Sequence, residues 1–478
     1  MKHILNPMYK CLLATWLCLL ASSCGDSFLE IEPQQSADVN NAIVDLPSME
    51  AALNGTYSAM QSNSYYGRSF TLIPDLMADN AFISSQNAGR YLNFDAFVVQ
   101  QNSGYVSGLW NQIYEVIANT NLMIQAGEKL TFEDEDNQED ANQLIGEAYT
   151  IRALAYFDLL RLFGQPYNFT ADAGHMGVPV ITTSGGEIIN PGRDSVKKGY
   201  EQVVSDFTKA LSLLNKEKNN GKISINAAKG LLARVHLYME NWQSAADLAT
   251  EVIESGKFSL VSNEAFVESW ATDFPAESIF EIVNTLVDNP STNALSYFYH
   301  QKGYGDALAT KELYQLYEAG DVRQKLIKVG EREDGEETAY LVYKYPRGSS
   351  REDNIRVIGL PEVYLIRAEA SAELGNEAQA QEDVQTLIQR ALPSAPDVTA
   401  TGDALKELIQ TERRKELAFE GHRLFDLNRR KMDVNIIRTN EVIVAKYPND
   451  RFILPIPLRE LDANSNNEGM VQNPGYDN

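Results

Sequence analysis

Thr411-Glu-Arg-Arg-Lys-Glu-Leu-Ala-Phe-Glu-Gly-His-Arg-Leu-Phe-Asp-Leu-Asn-Arg-Arg430 is the most patterned stretch of this 478-residue chain. Leu417, Glu420, Leu424 and Leu427 recur at spacings of three and four, so the spacing predicts a helix. Opposite charges at Glu412, Arg413, Lys415 and Glu416 suit an ion-paired face. Glu416 and Glu420, one helical turn apart beside several arginines, read as ionised structural partners and not as the acid and base of a hydrolase. His422 reads as a partly buried histidine inside a charged helix. The other histidines, His3, His175, His236 and His300, are isolated and show no metal-ligand spacing.

Outward from this stretch the chain is rich in helix signals. Ala148, Ile151, Ala155, Leu159 and Leu162 predict one apolar helix face, stopped by Gly164 and Pro166. Ser195 is a candidate N-cap for a helix carrying Val196, Tyr200, Val203, Phe207, Leu211 and Leu214. Two helix pairs follow, Asn226 to Ile253 with a break near Asn241, and Glu362 to Ala391 with a break at Gly375-Asn376. An offset of 135 residues places Ala233 on Ala368, Leu237 on Ala372, Asn241 on Asn376, Ala245 on Ala380 and Ile253 on Ile388. Helix, tight turn, helix, with small residues at the crossing, is the tetratricopeptide-type pattern. Between Glu264 and Pro346, the alternation in Ser278–Asn284 and Tyr340–Tyr345 predicts small β-hairpins and not a second large domain. The fold class expected is mainly α.

The wording of the opening stretch resembles the SusD/RagB family of outer-membrane nutrient-binding lipoproteins. Glu412, Arg413, Arg414, Glu416, Leu417, Phe419, Glu420, Gly421, Arg423, Asp426, Leu427 and Arg429 match that family's signature. Arg152 to Gly164, Ala228 to Trp242, Glu362 to Gly375, Phe452 to Leu458 (as a C-terminal strand) and Gln472 to Tyr476 resemble further family segments, in order. Trp110, Tyr114 and Asn121 match a family helix, which makes Trp110 a core residue. The resemblance implies a non-enzymatic surface lipoprotein that binds an oligosaccharide, or a peptide, and hands it to a SusC-like TonB-dependent transporter. The helix pairs would face that barrel, and no cofactor or metal is implied. The rival readings are a helical scaffold for protein partners and a glycan-degrading enzyme.

The N-terminus agrees. Lys2 and Lys10 precede a short apolar run from Cys11, and Leu19-Leu-Ala-Ser-Ser-Cys24 ends it with small residues and a cysteine. This is a signal-peptide pattern closing on a lipobox, with Cys24 as the lipidation residue. The run is too short to span a bilayer, which takes roughly 20 apolar residues. The expected organisation is a leader over 1–23, a lipidated tether over 24–40 and one SusD-like domain over 41–478. The three cysteines are Cys11, Cys18 and Cys24, so a disulfide framework after Cys24 is excluded. A formal charge of −25 argues against nucleic acid, whose binding needs clustered basic residues.

Sugars bind through aromatic faces joined to amide, carboxylate and guanidinium hydrogen bonds. Two loop regions have that chemistry, Tyr65 to Phe97 and Trp270 to Tyr304. The candidate ligand residues are Tyr65, Tyr66, Arg68, Arg90, Tyr91, Asn93, Trp270, Tyr297, Tyr299 and Tyr304. The acidic run Glu133 to Asp136 reads as a solvated loop joining helices and not as a cation site. No phosphate loop, HExxH or G-x-S-x-G motif is present.

Overall fold

The computed structural model describes residues 42–184, 190–332, 336–438 and 442–476. The leader, the tether and Cys24 lie outside the described residues. The architecture is mainly helical, as the periodicity predicts, with short two-stranded sheets between the helices.

Helix α1 (Leu46–Met60) opens on a reciprocal cap between Asp45 and Ser48 and is followed by α2 (Ser69–Leu76) and strand β1 (Ala81–Ile83). Next come α3 (Gly104–Gly127) and α4 (Glu135–Phe163), which pack on each other. The acidic run is the start of α4. Asp134 caps it by accepting from the Asn137 amide at 3.0 Å, and Glu135 and Asp136 complement the helix dipole in the first turn. The C-terminal half of α4 departs from the one-faced pattern, because every residue from Thr150 to Gly164 is buried. A helix enclosed on all sides must neutralise its charges. Arg152 forms a two-pronged pair with Asp206, at 2.8 and 2.6 Å, and Asp158 pairs with Arg161 one turn on.

Asp206 belongs to α5 (Val196–Leu211), whose cap is Ser195, accepting from the Lys198 amide at 3.2 Å. The two predicted helix pairs are α6 (Ile225–Tyr238) with α7 (Trp242–Glu254), and α8 (Leu360–Glu373) with α9 (Glu377–Ala391). The 135-residue offset holds at the level of backbone angles. Glu240 and Gly375 both take positive φ, and the next residues, Asn241 (φ −83°, ψ 68°) and Asn376 (φ −87°, ψ 67°), start the second helix of each pair alike. Ala233, Ala245, Ala368 and Ala380 are fully buried at the crossings. Helix α7 packs on α8, so the pairs stack in space although a long insertion separates them in sequence.

That insertion carries β2 (Ser278–Ile282), β3 (Ala307–Ala309), the hairpin β4 (Ile327–Arg332) with β5 (Glu336–Val342), and β6 (Ile355–Gly359). Among the described residues of this insertion, β4–β5 is the one local hairpin of the kind expected. Strand β2 pairs with β6, and β1 with β3, both antiparallel across long stretches of chain. A last hairpin joins β7 (Val434–Ile437) to β8 (Val442–Ala445). The strand expected over Phe452–Leu458 is absent: Phe452 ends a short 3-10 turn, Leu458 begins a helix, and the residues between them join no ladder. Pro455 and Pro457 lack donors, and the Leu454 and Ile456 amides bond singly to the Leu162 carbonyl and the Gln472 side chain, each at 2.7 Å.

The signature stretch is also not one helix. It forms α10 (Gly402–Glu416) and α11 (Arg423–Arg429), joined by a turn in which Phe419 (φ 67°) and Gly421 (φ 78°) are left-handed. Groups distant in sequence hold the turn. Lys344 Nζ donates to the Glu416 and Ala418 carbonyls at 3.1 and 2.8 Å and to Glu420 at 2.6 Å, and Asp75 accepts from the Gly421 amide at 2.9 Å. A Cβ on Gly421 would lie 2.9 Å from Thr71 Cα, so the position needs glycine.

The charges of this stretch form buried cross-links and not a surface ladder. Arg323 reaches Glu412 at 2.7 Å and Glu416 at 3.1 Å, Arg390 also bonds Glu416, and Arg413 bonds Asp426 at 2.8 Å. Burial alone would raise the Glu416 carboxyl, but Arg390 and Arg323 hold it down at about 2. His422 is buried beside Arg234 and Arg413, and burial pushes its imidazole down to about 3, leaving it neutral.

Candidate ligand-binding site

The two loop regions singled out in the sequence meet because β1 pairs with β3. In that register Ile83 faces Ala307, and the Ser84 amide extends the ladder to the Asp306 carbonyl at 2.8 Å. The loop leaving β1 and the loop entering β3 therefore emerge side by side. Glu336 of β5 ties down the first loop, accepting from the Ser84 hydroxyl at 2.7 Å and the Ser85 amide at 2.8 Å. Asn87 closes the next turn by exchanging two hydrogen bonds with the Arg90 backbone, at 2.6 and 2.9 Å.

Arg90 bridges the loops. Its guanidinium pairs with Asp306 and lies 3.8 Å from the centre of the Tyr304 ring. The bond to Asp306 leads the causes that raise its pKa, so it stays charged. Tyr304 meets Tyr297 edge-on at 4.8 Å, and its amide donates to the Tyr297 carbonyl at 2.8 Å. Arg351 lies 5.9 Å from the centre of the Tyr297 ring. Arg90, Tyr297, Tyr304 and Arg351 are partly exposed, and together they form a shelf of aromatic faces flanked by guanidinium groups. Asn93 is exposed on the same β1 loop.

Five candidates fall in the core. Tyr65 and Tyr66 both donate to Asp158 of α4, at 2.6 and 2.8 Å, and are 0% and 3% exposed. Arg68 is committed to the Tyr91 hydroxyl at 2.9 Å and to Asn293 at 3.0 Å. Tyr91 stacks on Tyr105 at 4.0 Å, and Tyr299 stacks on Tyr345 at 6.0 Å. These rings face inward because buried partners take up their polar ends or cover their faces. Trp270 is half-buried and apart from the shelf. Its ring is flanked by Arg356 at 4.2 Å and Lys344 at 4.3 Å, above the α10–α11 turn. Trp110 is a core residue, meeting Phe163 edge-on at 4.9 Å.

Arg351 went unread in the sequence. Its signal was the polar stretch Tyr345-Pro-Arg-Gly-Ser-Ser-Arg351, which has the guanidinium chemistry of the other two loops.

A SusD superfamily protein of Bacteroides vulgatus superposes on this chain with a TM-score of 0.83 and 30% identity, covering 91% of this chain and 100% of its own. The chain belongs to the SusD family. A SusD superfamily protein of Bacteroides thetaiotaomicron matches equally well, with a TM-score of 0.83, 30% identity and coverage of 90% and 100%. The family model described as SusD family matches residues 314–476, and one described as starch-binding associating with outer membrane matches 27–237. SusD-like protein P2 of Formosa agariphila is 27% identical over 97% of this chain and 99% of its own length. The SusD signature around Gly421 is thus a frame element at the α10–α11 turn, and the loops of the shelf are carried on that frame. Among the described residues no helix is long and apolar enough to cross a membrane, and no group of three or more His, Cys, Asp or Glu residues is arranged to hold a metal.

Proposed function

We propose that this chain is a surface lipoprotein, anchored through Cys24, that captures an oligosaccharide on the Tyr297–Tyr304 shelf and delivers it to a SusC-like TonB-dependent transporter. One observation carries the reading: the β1–β3 ladder joins two distant loops into partly exposed aromatic faces bracketed by Arg90 and Arg351. Tyrosine faces stack on the C–H faces of pyranose rings, and a guanidinium held by a carboxylate presents its remaining N–H groups to hydroxyls in fixed directions. The ligand is captured and released unchanged, since binding at this shelf needs stacking and hydrogen bonding only. The outer-membrane setting rests on the family and on the leader pattern ending at Cys24. Family membership is what supports the transporter partnership.

Glycan-array binding by the full chain tests the proposal, followed by titration of the best glycan into Tyr304→Ala. Loss of at least about tenfold in affinity with an unchanged melting temperature is the expected result. Equal binding by wild type and Tyr304→Ala would move the site off the shelf. Protease treatment of whole cells tests the facing side, where a chain protected until the outer membrane is opened would refute surface exposure.

A further inference from the structure

A second site lies at the other end of β1. Asp79 and Asn80 lead into that strand, and two arginines of the signature region hold them. Arg423 bonds Asp79 at 2.6 and 2.9 Å, and Arg414 bonds Asn80 at 3.0 Å and the Asp79 carbonyl at 2.6 Å. Both arginines line a cavity of about 280 Å³ between α10 and α11. Three arginines, Arg414, Arg423 and Arg430, line it together with the carboxylates of Glu407 and Asp426.

Arg430 differs from the other two. It caps α11, is half-buried, and among the described residues its side chain makes no hydrogen bond or ion pair. Gln410, which also lines the cavity, has its Nε2 buried with no acceptor among the described residues. The Gln410 amide is the costly member, because a buried donor without an acceptor loses free energy, while Arg430 feels Glu369, Asp426 and Glu373 only at a distance and keeps its N–H groups open toward the cavity. Asp426 also borders the cavity, but Arg413 and Arg429 bond its two oxygens, at 2.8 and 3.0 Å.

The rest of the wall narrows the acceptor, given the glycan-binding reading proposed above. Glu407 offers an exposed carboxylate beside the Thr411 hydroxyl, while Leu316 and Met432 supply an apolar side. Glu407 would repel a bare inorganic anion, and a neutral sugar would give Arg430 no hydrogen-bonded carboxylate partner. A sugar acid satisfies both, giving its carboxylate to Arg430 and Gln410, its hydroxyls to Glu407 and Thr411, and its C–H face to the apolar side. We infer that this cavity binds one sugar-acid unit, separately from the tyrosine shelf. Its volume is just below the roughly 300–1,000 Å³ typical of small-molecule sites, which suits a single ring.

Glucuronate, glucose and sodium sulfate are titrated separately into the full chain by calorimetry at low salt. The wild type should bind glucuronate at least about tenfold more tightly than glucose or sulfate. Arg430→Gln and Gln410→Glu should each lose that preference with melting temperatures unchanged, and Tyr304→Ala should keep it. The two variants sit on different helices, so a folding defect in one leaves the other to decide. Glucuronate binding no tighter than glucose, sulfate binding as tight as glucuronate, or an unchanged preference in a folded Arg430→Gln or Gln410→Glu chain each overturns the inference. So does loss of glucuronate binding in Tyr304→Ala, which would place the sugar acid on the shelf.

Discussion

Replacing Glu416 with glutamine tests whether the signature region is held by buried charge. Glu416 is 6% exposed and sits between Arg323 and Arg390. Its carboxyl titrates at about 2, against 4.5 for a free glutamate side chain. At about 1.4 kcal/mol per pH unit, the difference stabilises the folded chain by about 3 kcal/mol at neutral pH. Breaking a buried pair by removing one partner costs a similar roughly 3–5 kcal/mol. For a chain of 478 residues, an unfolding entropy of about 2 cal/mol/K per residue converts 3 kcal/mol into a melting-temperature loss of about 3 °C. The sign of the pH dependence follows from a folded value below the unfolded one. The contribution is complete above 4.5 and is lost as pH falls toward 2, so the gap between wild type and Glu416→Gln should roughly halve by about pH 3. Scanning calorimetry of both proteins from pH 7 to pH 3 measures this. A loss under about 1 °C at pH 7, or a gap that stays constant down to pH 3, would show that the pairs around Glu416 are not what stabilises the region.

Three further outcomes follow from the same frame. Gly421→Ala forces a left-handed alanine against Thr71 and should lower stability by at least about 1–2 kcal/mol, read from urea unfolding. Trp270→Ala should cost stability, about 3 kcal/mol for a large aromatic between two cations, while leaving glycan affinity intact; a folded variant that loses binding would put Trp270 in the site. His422 should show a flat imidazole chemical shift from pH 8 to pH 5, because its folded value of about 3 lies below the unfolded 6.5. The unfolded chain takes up that proton first as pH falls, so the His422 contribution disfavours folding progressively below pH 6.5.

Local patterns were readable wherever one helix or turn determined them. The offset between the two helix pairs reached down to the φ and ψ angles of Asn241 and Asn376. The cap at Ser195 and the stop at Gly164 were equally local. Reading failed where the deciding partner lies far along the chain. Leu417, Glu420, Leu424 and Leu427 keep helical spacing through a turn that Lys344 and Asp75 impose. Tyr65 and Tyr66 have the composition of a binding loop, but Asp158 draws them inward. The same long-range pairing brought Arg90 against Tyr304, so the loop regions were legible while the contacting residues were not.

The ladder between Ala81–Ile83 and Ala307–Ala309 also sets a temporal condition on the shelf. Each strand is only three residues long and has no nearby partner of its own, so neither can fold in advance of the other. A chain emerging on the far side of a membrane N-terminus first would expose Arg90 long before Tyr304 exists to meet it. The shelf thus requires both strands, and a truncation anywhere before Ala309 would leave the first loop without the partner that holds it.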